Sequence, residues 1–188
     1  MMSSTLEQYI RVYDNIITAD VCARTVASLS CDHSWEDHNF NNTSTRTVAT
    51  GEDDLQMNWS NIEQKQLIQN KIYSAIETYI IKDLACEWFA GWQGYSPLRF
   101  NRYNEQNKMK LHCDHIQDLF GPGTNGIPIL SIVGALNNDY EGGEFVMWDT
   151  VIDIPPGAVL IFPSNFMYPH RVNPVTLGTR YSYVSWVY

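Results

Sequence analysis

The chain holds only five histidines in 188 residues, and two of them flank an aspartate in the run KLHCDHI. In an extended strand, residues i and i+2 point to the same face. His112 and Asp114 therefore project together, and Cys113 projects the other way. His-x-Asp is the short half of a two-histidine, one-carboxylate set, which holds Fe(II) on one octahedral face and leaves the other positions open. Such a set needs a second histidine from a distant strand, and His170, opening the strand-like run after AVLIFPSNFMYP, supplies it. His115 lies on the Cys113 side if the strand continues, and it reads as a turn residue. His33 and His38, in an acidic loop with no ligand spacing, read as solvated.

A second group narrows the chemistry. Arg180, in TRYSYVSWVY, carries the planar fork that grips a carboxylate with two hydrogen bonds. Ser182 shares its face. An inward-facing Arg and Ser make a poor core strand but a good anchor for the far carboxylate of a metal-bound dicarboxylate. Two histidines and an aspartate also suit zinc. A zinc hydrolase would leave the Arg180 and Ser182 pair without a role.

These residues need strands to hold them. From Tyr95 onward the chain breaks into short β-type runs separated by Gly, Pro and Asn turns: PLRFNRYN, KMKLHCDHI, IPILSIVGALN, EGGEFVMW, TVIDIP, AVLIFPS, YPHRVNP and TRYSYVSWVY. That texture predicts a sandwich or barrel. Gly142 and Gly143 read as hairpin geometry, and Trp148 and Trp186 as core aromatics. Two helices precede the strands. ITADVCARTVASLS has Thr18 or Asp20 as its cap, with Val21, Ala23, Val26 and Leu29 to pack. SNIEQKQLIQNKIYSAIETYIIK opens on a Ser60/Glu63 capping box and carries a stripe of Ile62, Leu67, Ile68, Ile72, Ile76 and Tyr79 or Ile80. Between them lies a polar stretch with one short strand at 45–50. The expected fold class is α+β: a jelly-roll β-sandwich, with N-terminal helices buttressing one face.

Composition sets the limits. The length suits one domain, here 1–188, with 1–94 as helical support and lid and 95–188 as the catalytic jelly-roll core. A net charge of −9 makes nucleic acid a poor partner. No apolar run reaches membrane-spanning length, and the start lacks signal-peptide organisation. The four cysteines form no CxxC and read as free buried thiols, which sets the expectation of a reducing, cytoplasmic location.

From Leu98 onward the chain resembles the Fe(II)- and 2-oxoglutarate-dependent dioxygenases, in particular their prolyl 4-hydroxylase-like branch. LRFNRYN, LHCDH, LSIVGALNNDYEGGEF and PPGAVLIFPSNFMYPHRVNPVTLGTRYSYVSW arrive in that family's order. The resemblance implies a double-stranded β-helix with His112, Asp114 and His170 as iron ligands. It also implies that Arg180 and Ser182 bind 2-oxoglutarate, that Tyr103 hydrogen-bonds it, and that Ser131 occupies a position where relatives carry Thr. O2 is then the co-reactant, with ascorbate a possible addition. The implied reaction is hydroxylation of a C–H bond with release of succinate and CO2.

Two departures bear on the substrate. Peptide-hydroxylating relatives usually carry Lys where this chain has Arg180, and the insert QDLFGPGTNGIP is loop-like. A peptidyl or protein side chain is the first expectation and a free small molecule the second. A metal-binding sandwich without turnover is the third, which the intact set of four argues against. The segments Asn39–Asp54 and Gln117–Pro128, the latter with Gly121, Gly123 and Gly126, are expected as rims or lids over the pocket.

Overall fold

Strands that alternate between two buried faces make up most of the C-terminal half, and their two faces feed two separate cores. The computed structural model describes residues 3–42, 47–50, 54–88, 91, 94–114 and 127–188. The first five strands are β1 (Arg11–Tyr13), β2 (Glu36–Asp37), β3 (Asn39–Asn42), β4 (Thr47–Thr50) and β5 (Gln56–Asn58). The next five are β6 (Arg99–Tyr103), β7 (Met109–His112), β8 (Leu130–Ala135), β9 (Glu141–Gly142) and β10 (Phe145–Met147). The last five are β11 (Thr150–Ile152), β12 (Val159–Pro163), β13 (His170–Val172), β14 (Val175–Leu177) and β15 (Arg180–Val187).

A seven-stranded sheet runs β1-β12-β8-β15-β6-β5-β2, and a four-stranded sheet runs β11-β10-β13-β7. The small pairs β14-β9 and β3-β4 complete the set. All strand pairs are antiparallel.

On one side of the large sheet Ile132, Val159, Ile161, Tyr181 and Tyr183 pack with helix residues such as Leu29, Ile72 and Ile76. On the other side Val133, Leu160, Phe162 and Val184 meet Phe145, Met147 and Val172 of the small sheet. The fold is the α+β double-stranded β-helix, and this second core sits between its two sheets. No helix among the described residues is long and apolar enough to cross a membrane.

The helices are α1 (Ser3–Leu6), α2 (Ala19–Ser30) and α3 (Lys65–Glu77), the last continued by a π-helical turn at Thr78–Asp83. Thr18 caps α2, its hydroxyl accepting from the Val21 N–H at 3.4 Å. Val21 and Leu29 are buried as expected, but Ala23 is exposed, and Cys22 and Thr25 take the inward face. The Ser60/Glu63 capping box does not form, because α3 starts only at Lys65. Asn58 Oδ1 takes the Ser60 N–H at 2.7 Å, and the Lys65 ammonium donates to the carbonyls of Trp59 and Ser60. These local bonds hold residues 58–64 out of the helix. Leu67 lies on the exposed face of α3, while Ala75 joins the buried stripe.

The N-terminal half also contributes strands. β1 pairs with β12, and β5 joins β6 to β2, all in the large sheet. Such two- and three-residue strands are too short to show a period of two. The strand expected at 45–50 appears as β4, Thr47–Thr50, paired with β3. The lid expectation for Gln117–Pro128 falls, up to residue 126, outside the described residues, as does His115.

Gly134 marks where the helix-side core is tightest. A Cβ there would lie 2.0 Å from Cζ of the fully buried Tyr183. Gly134→Ala is therefore expected to destabilise the fold by about 2–3 kcal/mol through overpacking, measured by urea denaturation. A loss below about 0.5 kcal/mol would show that the ring has room to move aside.

Candidate metal and dicarboxylate site

Antiparallel pairing of β13 with β7 brings His170 directly opposite His112. Asp114 follows the end of β7 on a bend, not within the strand, yet points to the same side. Its Oδ1 lies 3.4 Å from His112 Nε2 and 3.8 Å from His170 Nε2. One ligand atom from each of the three residues falls within 4.8 Å of the others.

Each histidine is oriented by its own backbone. His112 Nδ1 sits 2.7 Å from the Lys110 carbonyl, and His170 Nδ1 sits 3.1 Å from the Tyr168 carbonyl. A carbonyl oxygen only accepts, so each Nδ1 carries the proton and each Nε2 presents a lone pair towards Asp114. Phe145 stacks on the His170 ring at 5.1 Å, and Phe162 meets it edge-on at 5.1 Å.

Asp114 is buried, which opposes its ionisation. Where the imidazoles are protonated, a hydrogen bond from His112, the charges of His170 and His112, and the Ser131 hydroxyl outweigh that burial. Together they hold the carboxyl well below the usual range. Burial pushes His170 down, favouring the neutral imidazole that a metal needs. Ser131 donates to Asp114 Oδ2 at 2.6 Å and is itself 2.8 Å from the Ser164 hydroxyl. Ser131 therefore orients the carboxylate from behind.

Arg180 is 2% exposed, and its Nη1 donates to Ser182 at 3.1 Å. Its guanidinium stands 4.9 Å from the Tyr103 ring centre. Tyr103 is buried, and burial raises its pKa against the lowering pull of Arg180 and Arg99, so the hydroxyl stays a proton donor. Arg180 Nε is buried with no hydrogen-bond partner among the described residues. A buried guanidinium edge left in this way fits an incoming carboxylate. Gly143, at φ +65°, does more than turn a hairpin. A Cβ there would come within 3.0 Å of Arg180 Cδ, so its bareness leaves the arginine its path.

The three metal-site residues, Arg180, Ser182 and Tyr103 border one pocket, of about 170 Å³ with an open mouth. The donor set fits Fe(II), with two neutral imidazole nitrogens and one carboxylate oxygen grouped towards open space. His112, Asp114 and His170 would hold the metal, and Arg180, Ser182 and Tyr103 the dicarboxylate.

Several pocket residues were not anticipated. Arg99 and Asn101 alternate inward with Tyr103 along β6, so the i, i−2, i−4 rule applied from Tyr103 would have found them. Trp186 packs against the inter-sheet core as expected and also lines the pocket beneath Arg99, 5.0 Å from its guanidinium. Trp148 is half-buried against Tyr168. His38, expected in solvent, is buried and faces the pocket, because its backbone N–H bonds to Leu55 O at 3.0 Å. No local pattern signals that placement. His33 is exposed as expected.

Comparison with known proteins bears on the same region. Residues 98–188 match the sequence profile of the 2OG-Fe(II) oxygenase superfamily. A PKHD-type hydroxylase of Xylella fastidiosa (strain M12) is 35% identical over 102 residues, covering 48% of this chain and 44% of that protein. The chain thus spans under half the length of the curated relatives it matches. Among solved structures, a prolyl hydroxylase from Trichoplax adhaerens, in complex with a hypoxia inducible factor peptide fragment, superposes with a TM-score of 0.70. It is 15% identical, with 96% of this chain and 84% of that one covered. A Pseudomonas putida prolyl-4-hydroxylase gives a TM-score of 0.65 at 17% identity, covering 100% and 98%. At these identities the likeness is one of fold.

Two measurements test the site. Ser131→Ala should weaken divalent-metal affinity about tenfold or more by freeing the Asp114 carboxylate, measured by Mn(II) titration. Unchanged affinity would make Ser131 a bystander. His38 is pushed down from 6.5 to about 4 by burial, with Arg99 and His112 adding to the effect. The unfolded chain protonates at the higher value, so this contribution is complete above pH 6.5 and is lost as pH falls towards 4. His38→Gln should therefore remove about 2 kcal/mol of the stability lost between pH 7.5 and pH 5. Parallel pH profiles of the two proteins in urea would refute this.

Proposed function

We propose, on the premise that residues 98–188 belong to the 2OG-Fe(II) oxygenase superfamily, that the protein is an Fe(II)- and 2-oxoglutarate-dependent hydroxylase of prolyl 4-hydroxylase-like type. One observation carries this reading. The His112–Asp114–His170 cluster, two of its three residues buried, and the unpartnered edge of Arg180 border the same pocket. When bound, Fe(II) with O2 and 2-oxoglutarate supplies oxidative power for C–H hydroxylation, yielding succinate and CO2.

The chain's own part is positional. His112 and His170 present Nε2 because their Nδ1 protons are committed to backbone carbonyls. Asp114 is kept ionised, and Ser131 fixes its second oxygen. Arg180 meets the distal carboxylate with Nε and a guanidinium already steadied by Ser182 and Tyr103. The Tyr103 hydroxyl donates to the same ligand. Met109, Phe145 and Val172 keep the metal side of the pocket apolar.

This reading treats the chain as one oxygenase domain, with residues 1–94 supporting the core formed by 95–188. Its four free cysteines suit a reducing, cytoplasmic setting. Prolyl hydroxylases among the structural neighbours favour a peptidyl or protein side chain as substrate. A small-molecule substrate is the second reading, favoured by the additional arginine in the pocket, Arg99.

The test is succinate formation from 2-oxoglutarate with Fe(II), ascorbate and O2 over a panel of peptides and small acids. Asp114→Ala should abolish it, and Arg180→Ala should raise the 2-oxoglutarate KM by about tenfold or more while metal affinity holds. Turnover no higher than that of Asp114→Ala across the panel would overturn the hydroxylase reading.

A further inference from the structure

The pocket contains two arginines, and the proposed chemistry uses one. Arg99 and Arg180 both project inward, but their strands separate them. Arg180 is register partner to Tyr103, and Arg99 is register partner to Val184. The two positions are therefore four residue steps apart along β6, about 13 Å at ~3.3 Å per residue. Their heads are also held apart. The Arg180 guanidinium lies over Tyr103, whereas that of Arg99 lies over Trp186, further along β15.

The partners of Arg99 are neutral. Its Nε donates to Asn101 Oδ1 at 3.1 Å, and its Nη1 meets the weakly accepting Met57 sulfur at 3.3 Å. No carboxylate pairs with it among the described residues. Burial works against its charge, with Tyr103 and Asp114 acting the other way. A half-buried guanidinium without an anion is costly unless something else brings the anion.

Charge balance within the pocket shows what is missing. With a divalent cation, the Asp114 carboxylate and a 2-oxoglutarate dianion in place, the charges of the metal and Arg180 are met. One positive charge is left over, that of Arg99. His38 and the two metal-binding histidines add none when neutral. The pocket, about 170 Å³, is open at its mouth, so a second molecule would enter beside the diacid from the solvent side.

We infer that Arg99 anchors the substrate, and that the substrate is a small carboxylic acid. Its carboxylate would lie on the Arg99 guanidinium beside Asn101, and its carbon skeleton would extend over Trp186 towards the metal side. Arg99 would then decide which molecule is oxidised, and an internal peptide residue, which lacks a carboxylate, would leave it unmatched. The inference rests on the hydroxylase reading for the reaction. The anion site itself does not depend on turnover.

The experiment uses the full chain loaded with Mn(II) and saturating 2-oxoglutarate. Matched acid and amide pairs serve as probes: N-acetylproline with N-acetylprolinamide, hexanoic acid with hexanamide, and 3-phenylpropionic acid with its amide. Binding is read by calorimetry, and proximity by Mn(II)-induced relaxation of the probe protons. At least one acid should bind about tenfold or more tightly than its amide, alongside 2-oxoglutarate and within reach of the metal. Arg99→Gln should erase that preference and leave the 2-oxoglutarate Kd within about twofold, with Arg99→Lys recovering part of it.

Equal binding of acids and amides, binding of acids only in competition with 2-oxoglutarate, or no acid binding at 10 mM would each overturn the inference. So would an Arg99→Gln protein that loses 2-oxoglutarate instead, since Arg99 would then belong to the cosubstrate clamp. If Arg99→Gln does not fold, the acid-over-amide preference and metal proximity in the unaltered protein decide alone. Failure of the unaltered protein to bind metal or 2-oxoglutarate would sink the hydroxylase reading, whereas acid binding by the same protein would still support the Arg99 site.

Discussion

The site depends on one buried charge, the carboxylate of Asp114. It stands between two imidazoles of the small sheet and is held from behind by Ser131 of the large sheet. A carboxylate in this setting is tolerated because the Ser131 hydroxyl donates to it and a bound cation would complete its pairing. The histidines lean on carbonyls two residues upstream, and Ser131 leans on Ser164. The metal-binding geometry is thus shared between both layers of the sandwich, and sliding one sheet against the other would break it.

The rest of the pocket follows from strand alternation. β15 sends Arg180, Ser182, Val184 and Trp186 inward while Tyr181, Tyr183 and Val187 pack against the helices. β6 does the same with Arg99, Asn101 and Tyr103 against Phe100. Because the two strands are register partners, their inward rows form a polar ladder with an arginine at each end. Helices α2 and α3 fill the outer face, so that the inner face is free to be polar.

This division explains what could be read in advance. His112, Asp114, His170, Arg180 and Ser182 were legible because histidine is rare in this chain and a spacing of two puts each pair, His112 with Asp114 and Arg180 with Ser182, on one face. Tyr103 and Ser131 came through family resemblance, and the part Ser131 plays, behind the carboxylate and off the pocket wall, needed coordinates. Arg99 obeyed the same alternation as Tyr103, but arginine on a strand is ordinary until its neighbours prove neutral. His38 was misjudged because an acidic, loop-rich context says nothing of the long-range contact that buries it. Helix α3 began late because side-chain bonds at Asn58 and Lys65 competed with a capping box that propensity alone favoured. The short strands β1, β2 and β5 were invisible because pairing across the sheet, and not local pattern, makes them strands.

One of those strands shapes how the chain folds. β1, formed by Arg11–Tyr13, finds its partner in Val159–Ile161 of β12, so the large sheet closes only by joining the two ends of the sequence. Such long-range pairing is slow, since most of the chain's loop entropy is lost before the contact forms. On the ribosome, residues 11–13 must wait while nearly everything between is made. Until then β12 has an open edge beside β8, the kind of surface that recruits stray strands. The protein's vulnerability to aggregation is therefore expected to lie in this late-closing seam, far from the residues that do its chemistry.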